Sequence, residues 1–560
     1  MFISFHDILL QQEIKMKSFY TFFSLHKKTI FLVLTLIVGI FILFPTHNFI
    51  TPLVQGDHGR DFYAYQQTMN GKTPYQDYMW FYGPLMPYYY ASFFKIFGAY
   101  AQIALTAEIA LKIMAGLVLY GILALFTTPG FSFVGATWFF AFFPKFPHTL
   151  NHAGGMIAML ACVYFVLKYI KTNGRANIPW ALFSVFLLAL IKLNFGIMFF
   201  IGSLGCFLSV DLIRKNFNKN LRLYIYGGLL WGAGLLGTYL FFLQELPAYY
   251  ILECFPVLKM YDQREILFQD SWLSPAFYMA KEYLNILSRF WWDQLCSGLF
   301  FICLLFGIFW QPKDKNEKAE HIQNLLALAC VIIFLLLALH EYLSGRRFYT
   351  KIWGQPLQTL SFLFVLGLGL KRLSPVFRAI VMVILLFGAS IQTYDQHRWI
   401  SALKNPAQRF ALNNIDLYIV NPPGWTTTVK ETVQFLNQEL KPQDHFFALP
   451  YDPIYYFLTE KESPTKEFCF TDASNIPYEQ EADIIKTLDN QKVDYILLSS
   501  RCDSPEPGLG TFGKTYCPLL ARYVKENFAL IKTFGDWTQK PDGWIDHHGT
   551  KIFKRTQKIK

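Results

Sequence analysis

The chain has 560 residues, 53% of them hydrophobic and 16% charged, which is too apolar and too poor in charge for a soluble protein of this length. Lys and Arg outnumber Asp and Glu by 50 to 39, but they fall in short clusters between apolar runs. That pattern reports membrane topology and argues against a nucleic-acid partner.

A bilayer core of about 30 Å needs roughly 20 apolar helical residues, so runs of that kind are the predicted spans. Lys27 and Lys28 precede the first, at 29–44, and put the N-terminus in the cytoplasm. The run starts well inside the chain and is long enough to stay in the bilayer, so it reads as a signal anchor. Residues 45–99 then form the first extracytoplasmic loop. Further spans are predicted near 100–126, 131–143 and 154–169, the last ending in Lys168, Lys171 and Arg175. A pair at 178–191 and 195–210 is hinged at Lys192 and Asn194 and ends in Arg214, Lys215, Lys219 and Arg222. Next come 223–242, a mixed polar and aromatic segment too polar to span at 244–289, and 291–310 with Lys313, Lys315 and Lys318 behind it. The last three are 325–339, 355–370 with Lys371, Arg372 and Arg378 behind it, and 379–394. Counting about eleven spans puts each of these basic clusters inside.

After Tyr394 the composition becomes that of a soluble domain. Helix-like stretches at 429–440, 481–490 and 519–527 alternate with strand-like stretches at 445–449, 493–498 and 530–534, the pattern of a small α/β domain. The expected organisation is a membrane domain over residues 1–394 and an extracytoplasmic α/β domain over 395–560. The nine cysteines show no metal-type spacing; Cys162, Cys206, Cys303 and Cys330 read as small hydrophobes in apolar runs. A disulfide among Cys469, Cys502 and Cys517 is left open. No Asn-x-Ser/Thr acceptor occurs, which favours a bacterial inner membrane over a eukaryotic lumen.

Chemistry concentrates in the first loop. It reads Gly56-Asp57-His58-Gly59-Arg60-Asp61, then Asn70-Gly71-Lys72-Thr73-Pro74-Tyr75-Gln76-Asp77, then Tyr82-Gly83-Pro84. If the segment from Asp57 to Met69 is helical, Asp57 and Asp61 share a face with Arg60 beside them. A solvated helix with a local ion pair is the plain reading. Charge held at the level of the bilayer surface needs a partner or a task, which is the other.

These residues carry a resemblance. An Asp just after the first membrane helix, a Gly fourteen residues later, Pro-Tyr, an acidic residue and a Gly-Pro ahead of an aromatic helix resemble the GT-C-type membrane glycosyltransferases that use polyprenyl-phosphate sugars. Protein mannosyltransferases, aminoarabinose transferases and sugar transferases acting on lipopolysaccharide are members. The resemblance covers the membrane half in layout, with its motifs between Asp57 and Gly98. It implies a GT-C-like fold of helical spans, a polyprenyl-phosphate-linked sugar donor, and a glycan, lipid or protein acceptor. It also implies that Asp57 is the catalytic base. Members often carry Glu next, where this chain has His58, so no metal is assigned, although a divalent metal is left open.

A sugar leaving a lipid phosphate departs on a weakly basic anion, so a carboxylate that takes the acceptor's proton suffices, with cations around the phosphate. Arg60 and Asp61 are expected to orient Asp57. Candidate phosphate ligands on the same side are Lys72, Lys145, Lys192 with Asn194, and Arg346-Arg347. Lys192 sits in Lys-x-Asn-x-Gly, a stretch that family members often carry, and reads either as a phosphate ligand or as a lysine snorkelling to the interface. The Arg pair breaks the inside bias and favours an anionic ligand. His148 and His152 have metal-ligand spacing but no acidic or thiol neighbour in sequence, and His547-His548 reads as a strand-end loop. The rival classes are a polytopic transporter or lipid flippase, disfavoured by mostly uncharged mid-span positions, and a non-catalytic membrane scaffold.

Overall fold

The computed structural model describes residues 26–50, 57–142, 150–242, 314–340, 347–419, 423–471, 476–502, 510–537 and 548–556. Helices α1 (His26–Thr46), α4 (Ala101–Phe126), α5 (Pro129–Phe142), α6 (Asn151–Thr172), α7 (Asn177–Ile191), α8 (Leu193–Arg214), α9 (Phe217–Phe242), α10 (Lys315–Ala338), α11 (Arg347–Leu370) and α12 (Pro375–Leu403) form the bundle. Seven of them are long and apolar enough to cross a membrane, and α5 and α7 are shorter apolar helices. The chain is a multi-pass helical membrane protein. Each predicted span falls on a helix except 291–310, which lies outside the described residues.

Burial orders the bundle. Of the most apolar stretch of α6, 72% is buried within the protein, against 17% for α9 and 28% for α12. α6 is therefore central, and the outer helices turn Val33, Leu230 and Val383 outward as a surface suited to lipid. Charge is rare but present within the described spans, as the sequence leads one to expect. Lys112 and Glu108 pair at 2.9 Å inside α4, both almost fully buried. They lie four residues apart on one helix face, which lets each neutralise the other.

Two short helices of the first loop, α2 (Asp57–Met69) and α3 (Leu85–Phe97), pack on the C-terminal region. That region holds β2 (Arg409–Leu412), β3 (Ile415–Ile419), α13 (Pro423–Glu439), β4 (Phe446–Leu449), α14 (Ile454–Thr459), α15 (Tyr478–Asn490), β5 (Tyr495–Ser499), α16 (Pro518–Asn527), β6 (Phe528–Gly535) and β7 (Gly549–Arg555). A four-stranded sheet runs β4-β5-β7-β6, with β4 and β5 parallel and the other pairs antiparallel.

The second sheet crosses the expected division of the chain. Residues Phe49–Ile50, here β1, pair in parallel with β3 at Phe49↔Tyr418 and Ile50↔Ile419, in the order β1-β3-β2. One hydrophobic core joins Phe62, Tyr65 and Trp80 of the first loop to Phe410, Trp425 and Phe457 of the C-terminal region. Across the boundary expected at 394, α12 continues unbroken to Leu403. The loop and the tail therefore form one body seated on one end of the bundle.

Candidate active site at the junction of the first loop and the C-terminal domain

The helix expected from Asp57 to Met69 forms over those residues, but it is not solvated: everything from His58 to Thr68 is buried. Its aromatic residues are the cause. Phe62 stacks on Phe457 at 5.3 Å, and Tyr63 meets Tyr456 at 5.3 Å and Phe468 at 5.0 Å. Gly59 permits the close approach, since a Cβ there would lie 2.7 Å from the Ile454 backbone nitrogen.

Charge enters this apolar seam as one connected group. Arg60 donates through Nη1 to Asp57 Oδ1 at 2.9 Å, and through Nε and Nη2 to Asp61 Oδ1 at 3.1 and 2.9 Å. Asp61 Oδ2 accepts the backbone N–H of Leu150 at 3.0 Å, which ties the group to the start of α6. The guanidinium also lies 5.6, 5.5 and 5.0 Å from the rings of Trp80, Phe81 and Tyr82, so its face is covered by π density. Burial pushes the Asp61 carboxyl up to about 6, against the opposing pull of Arg60.

A fourth member comes from the C-terminal domain. The Tyr451 hydroxyl donates to Asp57 Oδ1 at 2.6 Å and accepts from Arg60 Nη1 at 3.1 Å. Burial raises the Tyr451 phenol well above its ordinary range, so it stays a donor. Behind it, Arg501 donates to the Tyr451 carbonyl at 2.7 Å and sits 5.0 Å over its ring, and Ser499 donates to the neighbouring Asp452. No motif marks Tyr451. The Asp57, Arg60 and Asp61 side chains are 17%, 4% and 0% exposed, so Asp57 is the one that meets solvent.

Lys192 and Asn194 sit on the break between α7 and α8, at the same end of the bundle. Gly83 of the first loop donates to Ile191 O at 2.9 Å, and a Cβ on Gly83 would collide with Leu190 O at 2.1 Å. The Gly-Pro motif thus serves to dock the loop on the hinge. Lys192 is 8% exposed and lies 5.2 Å from the Phe195 ring and 5.3 Å from the Trp353 ring. Asn194 Nδ2 donates to His340 Nε2 at 3.0 Å, the other ring nitrogen of His340 being 2.6 Å from Leu337 O.

Rings bridge the two groups. Tyr82, under Arg60, meets His152 edge-on at 5.6 Å, and His152 meets Trp353 at 5.0 Å, beside Lys192. Arg347 opens α11 six residues before Trp353, about 9 Å along the helix axis. Arg346, Lys145, His148 and His547 lie outside the described residues. Lys72 is elsewhere: it follows the far end of α2, about 20 Å along the axis from Asp57, and pairs with Glu462 at 3.6 Å on the surface.

His548 is buried with its Nε2 3.2 Å from the Tyr455 hydroxyl, and burial lowers its pKa to about 4, as expected of a structural histidine. Among the described residues, no group of three or more His, Cys, Asp or Glu side chains is placed to share a metal ion.

Solved structures of other proteins share this architecture. The crystal structure of ArnT from Cupriavidus metallidurans, bound to undecaprenyl phosphate, superposes with a TM-score of 0.50 over 94% of this chain and 97% of that one, at 11% identity. The oligosaccharyltransferase of Archaeoglobus fulgidus, in complex with Zn and sulfate, superposes with a TM-score of 0.50 over 89% of this chain and 71% of that one, also at 11% identity. At that identity the likeness is one of fold, and it bears out the expected GT-C-like fold. No protein-family model and no curated protein matches the sequence.

Proposed function

We propose that this chain is a membrane glycosyltransferase that takes a sugar from a polyprenyl-phosphate carrier and passes it to a hydroxyl of a glycan, lipid or protein acceptor. Asp57 is the general base. One observation carries the reading: Asp57 is the partly exposed carboxylate of a buried charged group, at the membrane end where the bundle meets its C-terminal domain. The fold shared with ArnT, a protein crystallised with undecaprenyl phosphate, supports it. The positive-inside pattern supports an extracytoplasmic position for this end, with the N-terminus in the cytoplasm, and the lack of Asn-x-Ser/Thr acceptors supports a bacterial inner membrane as the setting.

In this reading the acceptor O–H gives its proton to Asp57 as its oxygen attacks the anomeric carbon. The C–O bond to phosphate breaks with inversion, and the lipid phosphate leaves with the bonding electrons and needs no proton. Arg60, held by Asp61, and Tyr451 fix the direction in which Asp57 points. Lys192 and the Arg346-Arg347 segment balance the phosphate charge. The buried Glu108–Lys112 pair is the observation that favours a transporter instead.

Asp57→Asn separates the two. It is expected to abolish transfer, read as loss of one sugar mass from the glycans and lipids of cells carrying the variant, while the amount of folded protein is unchanged. An unaltered mass spectrum with a changed transport rate would overturn the proposal.

A further inference from the structure

A second cleft, of about 510 Å³, opens where the loop between α3 and α4 meets the C-terminal domain. Its lining is polar. Asn413 and Asn414 come from the turn between β2 and β3, Asn437 from α13, and Glu460 from just past α14, with Gly98 and Tyr100 opposite. Asn413 and Asn437 are exposed, whereas Asn414 is 5% exposed and its Oδ1 has no hydrogen-bond partner. Tyr100 is 49% exposed, and its ring folds over Gly98, where φ is +93° and a Cβ would come within 2.6 Å of the ring. Among the described residues no Lys or Arg lines the cleft.

These groups define a ligand class. Asn413 and Asn414 each spend one amide hydrogen on α14, donating to Leu458 O at 2.7 Å and Phe457 O at 2.9 Å, which fixes their direction. The exposed Asn437 amide and the remaining groups of Asn413 match neighbouring hydroxyls on a sugar ring, and a carboxylate accepts from hydroxyls. An exposed phenol ring suits the apolar C–H face of a pyranose. A phosphorylated or acidic ligand would meet Glu460 with no cation to offset it, and a peptide would need apolar sub-pockets that this lining does not provide. Position adds the rest. Ala101, which starts α4, donates its N–H to Asn414 O at 3.1 Å, and Ile96 and Phe97 beside it are 72% and 58% exposed, a collar suited to the bilayer surface.

We propose that this cleft binds the uncharged sugar chain of a glycan anchored in the same leaflet. It stands at one end of α14 and the Tyr451–Asp57 contact just before the other, about 10 Å apart along the helix. An acceptor glycan held here lies within reach of the base. The role as acceptor site rests on the glycosyltransferase reading; the sugar binding does not.

The test uses the full chain in lipid nanodiscs and saturation-transfer NMR with chitotetraose, maltotetraose and mannotetraose, without donor. Saturation of at least one is expected. Tyr100→Ala with Asn437→Ala should weaken it at least about tenfold, roughly the loss of one hydrogen bond and one ring contact. Both side chains are exposed, so the fold is not at stake. Asp57→Asn should leave binding intact, which distinguishes failure of the cleft from failure of the transfer reading. The proposal is overturned by no saturation of any sugar, by equal saturation in the double variant, by loss of binding in Asp57→Asn, or by binding of extended peptides in place of sugars.

Discussion

A phenol and a guanidinium end on the same oxygen of Asp57, at 2.6 and 2.9 Å. Both draw charge from the carboxylate and weaken it as a base, yet both fix its direction, and in a seam this dry direction is worth more. Tyr451→Phe keeps the ring and removes one charge-assisted hydrogen bond of about 1.5–3 kcal/mol, so kcat should fall about tenfold to a hundredfold with donor KM little changed. A faster variant would show that the hydroxyl only restrains the base.

Asp61 sets the pH response. Burial raises its pKa to about 6, so it takes up a proton as pH falls through that value. Arg60 then has one anion to balance instead of two, its charge falls undivided on Asp57, and the base weakens. Transfer should therefore drop on the acid side of about pH 6, and Asp61→Asn should be slow throughout with that inflection gone. Folding responds oppositely: a carboxyl whose folded-state pKa is raised adds stability below its unfolded value near 3.9, and loses it as pH rises through about 6. Asp57, Arg60 and Asp61 were legible together because a helix face is written in spacing. Tyr451 was not, because it lies 394 residues from Asp57 and only the tertiary fold joins them.

At the scale of elements, two glycines in the first loop hold the site together by leaving room. Gly59 admits the Ile454 backbone and Gly83 admits Leu190. Gly59→Ala places a methyl 2.7 Å from a backbone nitrogen that cannot turn aside, so the seam between α2 and α14 must open. The expected cost is about 1–3 kcal/mol, seen as a lower melting temperature, and transfer falls with it because Tyr451 moves off Asp57. A melting temperature equal to wild type would mean that the two helices slide apart freely. The helices α13, α15 and α16 and the strands β4, β5 and β6 were readable from periodicity. The β1 pairing was not, since two residues carry no period, and neither was α14, a six-residue helix buried along its whole length. The burial of α2 was hidden for a related reason: its own sequence is polar enough for a surface helix, and what covers it lies in the tail.

For the whole molecule, the bundle and the tail depend on each other unequally. The spans carry their own apolar surface and basic flanks, which suffice for insertion. α2 is less independent: Tyr65 stacks on Tyr90 of α3 at 4.4 Å, but among the described residues the aromatic partners of Phe62 and Tyr63 lie beyond 440, so the tail covers that face. Removing residues 404–560 should therefore leave a protein that inserts with unchanged topology, but whose first loop is cut by protease between 57 and 69. Sugar transfer should be lost with it, because Asp57 keeps Arg60 while losing both Tyr451 and the walls that exclude water. Protection of that stretch in the shortened chain would show that the bundle alone orders α2. The tail would then be an acceptor-binding appendage and no part of the catalytic centre.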